Sequence, residues 1–199
     1  MTGKPQYDES AALEAAMRVF WRHGYAAASI NDLTAATGLS RSSIYQRFQD
    51  KDNLFRETLA HYTERVLRRM NAVQAASGRA RVEAILRDFL PGPAAAARPD
   101  GCMLARSCAE KAILPAPSQD AVMAAVGRQR ALLAQIIDQA AADGELPNSM
   151  DRDALAWYYL GVLHSLMNLP QAGATTATLA AVVDFAMAAW PAGAGPRAA

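Results

Sequence analysis

Apolar residues in the first fifty positions recur at helical spacing, and the polar ones between them fall where helices begin and end. Leu13, Met17 and Phe20, with Trp21 beside them, mark a helix from about Asp8 to His23, closed by Gly24. Ser29 stands as an N-cap with Asp32 three residues on, close to a capping box. Gly38 supplies the left-handed residue that ends this helix, and Ser40 caps the next. On that third helix Ile44 and Phe48 lie i,i+4 apart as one apolar stripe. Ser42, Ser43 and Gln46 face away from it, with Arg41, Tyr45 and Arg47 on the flanks. A short helix that hides two large apolar side chains and shows small, polar and cationic ones suits a DNA major groove. The pattern alone fits an ordinary surface hairpin equally well.

Further along, Asp50 caps a long helix from Lys51 to about Ala75, carrying Leu54, Phe55, Leu59, Tyr62, Val66 and Met70. Ser77-Gly78 breaks it, and Arg79 to Leu90 forms another helix before a proline- and glycine-rich loop over 91–101. Cys102 to Ile113 reads as a short helix, and Ser118 caps a long one through Ala142, ended by Asp143-Gly144. Asp151 opens a helix to about Leu169, and Thr175 to Trp190 makes the last. Met1–Tyr7 and the tail 191–199 read as loose. There is no strand pattern and no internal repeat, so the expected fold is all-α with about nine helices. The last two helices are apolar nearly all round and therefore need partners on every side. Two of them from each of two subunits would make an isologous four-helix contact, with Leu155, Tyr159, Val162, Leu166, Leu179, Val183, Met187 and Trp190 at the interface.

The stretch AALEAAMRVFWRHGYAAASINDLTAATGLSRSSIYQRFQDKDNLFRETL resembles the N-terminal domain of the TetR/AcrR family of transcriptional regulators. The marks, in order, are Phe20, Gly24 and Tyr25, Ser29 and Ile30, Leu33 and Ala36, Gly38, Ser43-Ile44-Tyr45, Phe48, Lys51 and Leu54-Phe55. The resemblance implies a three-helix DNA-reading head over 6–66, its helix-turn-helix over about 29–48. It also implies a helical ligand-binding and dimerisation domain over 78–190. On it, Ser29, Ile30, Arg41, Ser42, Ser43, Tyr45, Gln46, Arg47 and Lys51 become DNA contacts. Arg41, Ser42 and Ser43 are placed at base edges. Tyr45 and Lys51 are placed on phosphates, the latter because a helix N-terminus favours anions. Gly101-Cys102-Met103-Leu104 followed by Glu110 is similar to the sixth helix of one regulator subgroup, in which Asn commonly stands where this chain has Arg106. Some relatives there sense electrophiles through a cysteine. For Cys102 a reactive thiol at a helix start and a small buried hydrophobe are the two readings.

Composition narrows the picture. In 199 residues the net charge is only +1, so any nucleic-acid binding must be local. Arg18, Arg22, Arg41, Arg47 and Lys51 against Asp32 and Asp50 make the head locally positive. No stretch approaches the ~20 apolar residues of a membrane span, no signal pattern opens the chain, and a cytoplasmic setting is expected. Cys102 and Cys108 point different ways on one helix and cannot bridge or chelate together. His23, His61 and His164 are scattered, and no catalytic set, metal site or phosphate loop presents itself, so an enzyme and a cofactor are not expected. An effector pocket would draw on His61, Tyr62, Phe89, Cys102, Met103, Arg106, Glu110, Tyr158, His164, Met167 and Asn168, each of which core packing also explains. The expected partners are double-stranded operator DNA, an unknown small-molecule effector and a second copy of the chain. Ligand-inducible repression is the leading function. An activator on the same fold and a helical ligand-binding protein without DNA binding are the alternatives.

Overall fold

The computed structural model describes residues 8–92, 99 and 101–191. The expected loose segment Met1–Tyr7, most of the loop over 91–101 and the tail from residue 192 lie outside the described residues. Among these residues there are nine α-helices and no strand. They are α1 (Glu9–Ala27), α2 (Ile30–Thr37), α3 (Arg41–Phe48), α4 (Lys51–Ala72), α5 (Gly78–Asp88), α6 (Met103–Ala109), α7 (Ala116–Ala142), α8 (Arg152–Asn168) and α9 (Thr176–Ala188).

The polar punctuation does what its chemistry dictates. Asp8 accepts from the amides of Ser10 and Ala11, Ser77 from Ala80, Asp151 from Ala154 and Thr175 from Thr178, each relieving orphan donors of a first turn. The capping box at Ser29 is complete. Its hydroxyl accepts from the Asp32 amide at 3.1 Å, while the Asp32 carboxylate accepts from the Ser29 amide at 2.9 Å. Three expectations change. Gly24 does not close α1, because after a break at φ 79°, ψ 177° the chain makes one more helical turn to Ala27. Cys102–Ile113 divides into α6 and a separate 3₁₀ turn, Lys111–Ile113. Ser118 does not cap α7, which starts at Ala116. Its buried hydroxyl donates to the Asp52 carboxylate instead.

The chain forms two compact units. Of the described residues, Asp8–Val66 together with Cys102–Val126 make one, and those of 67–101 together with Gly127–Pro191 make the other. In the first, Met17, Phe20, Leu33, Ile44, Phe48, Leu54, Phe55 and Leu59 form the core. Phe55 meets Phe20 edge to face at 5.3 Å, and Trp21 meets Tyr62 in the same way at 5.0 Å. In the second, α5, α8 and α9 pack on one another. Val82, Ile85, Leu86, Leu133, Ile137, Leu160 and Leu163 are buried there.

That packing overturns most of the expected subunit contact. Leu155, Tyr159, Leu166, Leu179, Val183, Met187 and Trp190 are buried inside the chain's own core, with Val183 at 0% exposure. The Tyr159 hydroxyl donates to the Ala186 carbonyl at 3.2 Å, tying α8 to α9. Val162 alone of the expected set is partly exposed. The outward face of the same two helices carries Trp157, Tyr158 and Phe185, the last 77% exposed.

His164 on α8 donates from Nε2 to the buried Gln129 side-chain carbonyl at 2.9 Å. Burial pushes its pKa down to about 4, because the imidazolium would lose hydration without gaining a carboxylate. Below the ordinary histidine value of about 6.5 the unfolded chain takes up a proton that the folded chain refuses. Stability is therefore expected to be full above that value, to fall as the pH drops towards 4 and to level off below. The loss at ~1.4 kcal/mol per pH unit amounts to about 3 kcal/mol at most. Urea midpoints at neutral pH and near pH 4.5 check this. His164→Gln should flatten the difference, and an unchanged slope in that variant assigns the loss to other groups.

Candidate nucleic-acid interface

An eight-residue helix cannot hold its own shape in water, so α3 depends on what it buries. Ile44 is fully buried and Phe48 is 1% exposed, both on the face turned to the core of the first unit. Ahead of it, Gly38 takes φ 71°, Leu39 is buried and the Ser40 hydroxyl accepts from the Ser43 amide at 3.0 Å. The turn between α2 and α3 is thereby fixed at both sides. Arg41, Ser42, Tyr45 and Gln46 are exposed on the opposite face, as the apolar stripe requires. Arg41 donates to the Asn31 side-chain carbonyl at 3.2 Å, bridging α2 and α3. The Ser42 and Ser43 hydroxyls each lie 2.8 Å from the Ser40 hydroxyl, and Ser43 is half-buried. Ser29 is occupied by its capping box, and Ile30 is half-buried behind it.

The exit from α3 is sharp. Gln49 adopts φ 68°, ψ −56°, and the Asp50 amide donates to the Phe48 carbonyl at 2.8 Å. This is a γ-turn at a non-glycine residue, a strained conformation held by the helices on either side. Asp50 then accepts from the Asn53 amide at 2.7 Å and starts α4.

Two expected cations are engaged elsewhere. Arg47 donates to Glu9 of α1 and to Glu57 of α4, the latter at 3.2 Å, so its charge braces three helices. Lys51 is turned inward, its ammonium 4.4 Å from the centroid of the Tyr25 ring. Burial lowers the Lys51 pKa from its ordinary value, with the charge of Glu110 opposing the shift. Burial raises the pKa of the Tyr25 phenol, with Asp52 and Asp50 adding to it.

Glu110 is the residue that sequence reasoning placed wrongly. The sequence places it among the residues of an effector pocket. Its carboxylate instead accepts from the Tyr25 amide at 2.6 Å and, more weakly, from the Ala26 amide at 3.4 Å. Those partners lie 85 and 84 residues away, so no local pattern marks the contact.

The remaining pocket candidates divide between the two units. In the first, the Tyr62 hydroxyl donates to the Cys102 sulfur at 3.3 Å, Met103 is buried beside them and Arg106 is half-exposed. His61 Nε2 lies 3.3 Å from a carboxylate oxygen of Glu14, which also accepts from Arg65 at 3.0 Å. In the second unit, Phe89 is buried under the Arg69 guanidinium and Asn168 donates to the His164 carbonyl at 2.7 Å. Met167 is half-buried, while Tyr158 is exposed. A cleft of about 350 Å³ in the second unit is lined by Asn71, Gln74, Ser77, Arg81, Gln135 and Gln139 among others. None of the expected pocket residues lines it. No group of His, Cys, Asp and Glu suited to a metal occurs among the described residues.

Of the two readings of Cys102, the structure favours the small buried hydrophobe. It is 2% exposed, it accepts from the Ala105 amide as N-cap of α6, and burial pushes its thiol pKa up more strongly than these hydrogen bonds pull it down. Cys108 is exposed. Limiting maleimide on the native protein, followed by peptide mapping, is expected to label Cys108 first. Preferential labelling of Cys102 would reveal an opening of α6 that the packing does not provide.

Comparison with known proteins agrees with this geometry. Residues 12–58 match the family of bacterial regulatory proteins, tetR family, and residues 78–186 match the tetracyclin repressor-like C-terminal domain. The chain is 29% identical over 194 residues to the transcriptional repressor ComR of Escherichia coli K12, covering 95% of this chain and 92% of that one. It is 46% identical over 52 residues to the repressor AcnR of Corynebacterium glutamicum, covering 26% of this chain and 28% of that one. Among solved structures it is similar to a cysteine-substituted form of the regulator CifR in complex with a 26-base-pair operator, at 32% identity and a TM-score of 0.82 over 95% of this chain and all of that one. The reduced form of NemR from Escherichia coli shares the fold at 18% identity and a TM-score of 0.74, over 93% of this chain and 98% of that one. With both halves matched and the reading helix in place, the chain belongs to the tetR family of bacterial regulatory proteins and is a DNA-binding transcriptional regulator rather than an enzyme.

Proposed function

We propose that this chain represses transcription in the cytoplasm as a homodimer that occupies operator DNA through α3 and releases it when a small molecule binds. The observation that carries the reading is the division of α3 into a buried Ile44–Phe48 stripe and an exposed face of Arg41, Ser42, Tyr45 and Gln46. That face offers a forked cation, hydroxyls and an amide, the groups that read base edges and hold phosphates. The operator complex of CifR and the repressor function of ComR and AcnR support it. The match of 78–186 to the tetracyclin repressor-like domain supports a ligand-responsive second half.

Dimerisation is read from the outward face of α8 and α9. Trp157, Tyr158 and Val162 on α8, Leu169 just past its end, and Val182 and Phe185 on α9 leave apolar surface uncovered among the described residues. A twofold contact across it would place two copies of α3 in successive major grooves where their separation is ~34–36 Å. Val162 apart, the face is the reverse of the one the sequence suggests on these helices.

Gel shift against the DNA flanking its own gene, followed by footprinting, tests the reading directly. A protein that retains no promoter fragment is not an operator-binding repressor. Within that assay Arg41→Ala is expected to lose roughly 1–3 kcal/mol at one base step and to relax preference there. An equal loss on operator and on random DNA would assign Arg41 to the phosphates.

Assembly is checked independently. Phe185→Arg leaves the core of the single chain untouched but would bury an unpaired charge against its symmetry mate. It is expected to sediment as a monomer and to bind operator weakly. A dimer with normal affinity would place the subunit contact on another face.

A further inference from the structure

The break in α1 leaves a problem that the local chain does not solve. With Gly24 at φ 79°, ψ 177°, the helical path breaks before Tyr25, so the amides of Tyr25 and Ala26 stand as first-turn donors of a new helical turn. Glu110, at the C-terminal end of α6, supplies the acceptor through one carboxylate oxygen, at 2.6 Å from Tyr25 and 3.4 Å from Ala26. Its other oxygen fills the space over Gly24. A Cβ there would lie 1.9 Å from it, so this glycine is required by the seated carboxylate as well as by its φ.

Tyr25 is not an incidental partner. Its ring packs edge to face on Phe55 at 5.1 Å and carries the Lys51 ammonium on its face at 4.4 Å. Lys51 is the first residue of α4 and follows directly from the γ-turn that ends α3. The other end of α6 is gripped too, by the Tyr62 hydroxyl on the buried Cys102 sulfur. A seven-residue helix held at both ends has no independent position of its own.

From this we infer that Glu110 is a positioning residue for operator binding, its carboxylate latching α6 to the Gly24–Ala26 turn and thereby setting Tyr25, Lys51 and the α3 exit in the DNA-competent arrangement. The inference deepens the regulation of the proposed operator site and rests on that reading. Release would mean withdrawal of the carboxylate, which strands two amide donors at once.

Charge makes the test discriminating. Removing a negative charge from the DNA-binding unit should by electrostatics alone tighten DNA binding. Loss of the latch should weaken it. Wild type, Glu110→Gln, Glu110→Asp and Glu110→Ala are titrated against the upstream fragment that the wild type selects, at a temperature where circular dichroism shows every variant folded. Glu110→Ala and the shortened Glu110→Asp are expected to lose about tenfold or more in affinity, within the range usual for coupled sites. Glu110→Gln keeps an acceptor at the right reach and is expected to retain most of the binding. Amide exchange of Tyr25 and Ala26 should accelerate in the two weakened variants and not in the third. Wild-type or tighter binding by Glu110→Ala overturns the inference, as does an equal loss in Glu110→Gln. A wild type that selects no fragment refutes the operator reading itself, an outcome separate from any difference among the variants.

Discussion

The head of this protein depends on the burial of two side chains from a helix too short to stand alone. Ile44 and Phe48 lie in the core that Met17, Phe20, Leu33 and Phe55 provide. At ~1.5–3 kcal/mol for each large apolar side chain, that burial outweighs anything eight residues of intrinsic propensity can supply. The exposed face of α3 then has no duty in the core. Arg41, Ser42, Tyr45 and Gln46 contribute little to the core and can be chosen for what they touch. The same division explains why Arg47 leaves the reading surface: bonded to Glu9 and Glu57, it ties α3 to its two neighbouring helices.

Much of this was legible in the chain because caps and stripes are local. Ser29 with Asp32, Gly38, Ser40, Asp50, Ser77, Asp151 and Thr175 each mark a boundary within three or four residues of themselves, Gly38 through its left-handed backbone and the others through side-chain oxygens. The i,i+4 pair Ile44 and Phe48 likewise needs only its own helix to be read. What was not legible is long-range. A carboxylate such as Glu110 looks the same in sequence whether it meets Arg106 four residues away or an amide 85 residues away. Ser118 similarly has the form of a cap, yet its hydroxyl is taken by Asp52 on another helix.

The subunit face shows a different limit. On α8 and α9 apolar residues run nearly all the way round, so the period that separates an inside from an outside is absent. Leu155, Tyr159, Leu179 and Val183 were as plausible outward as Trp157, Tyr158 and Phe185. Only the docking of α5 and of α8 on α9 decides it, by burying the first set. Lys51 illustrates the corresponding limit for charge. A lysine opening a helix invites a phosphate, but the Tyr25 face and the field of Glu110 offer it a closer partner.

The compact units do not follow the order of the chain, and this bears on regulation. Residues 102–126 cluster with the reading helices rather than with the residues that flank them in sequence. Consequently α6 does not need a long relay to be felt at α3. Cys102 bonds to Tyr62 of α4, Glu110 to the turn that ends α1, and Ser118 just beyond to Asp52 of α4. Three polar contacts from one short stretch converge on the two helices that hold α3 in place. A buried polar contact is expensive to leave half-made. Displacing that stretch therefore costs several polar contacts together rather than one at a time.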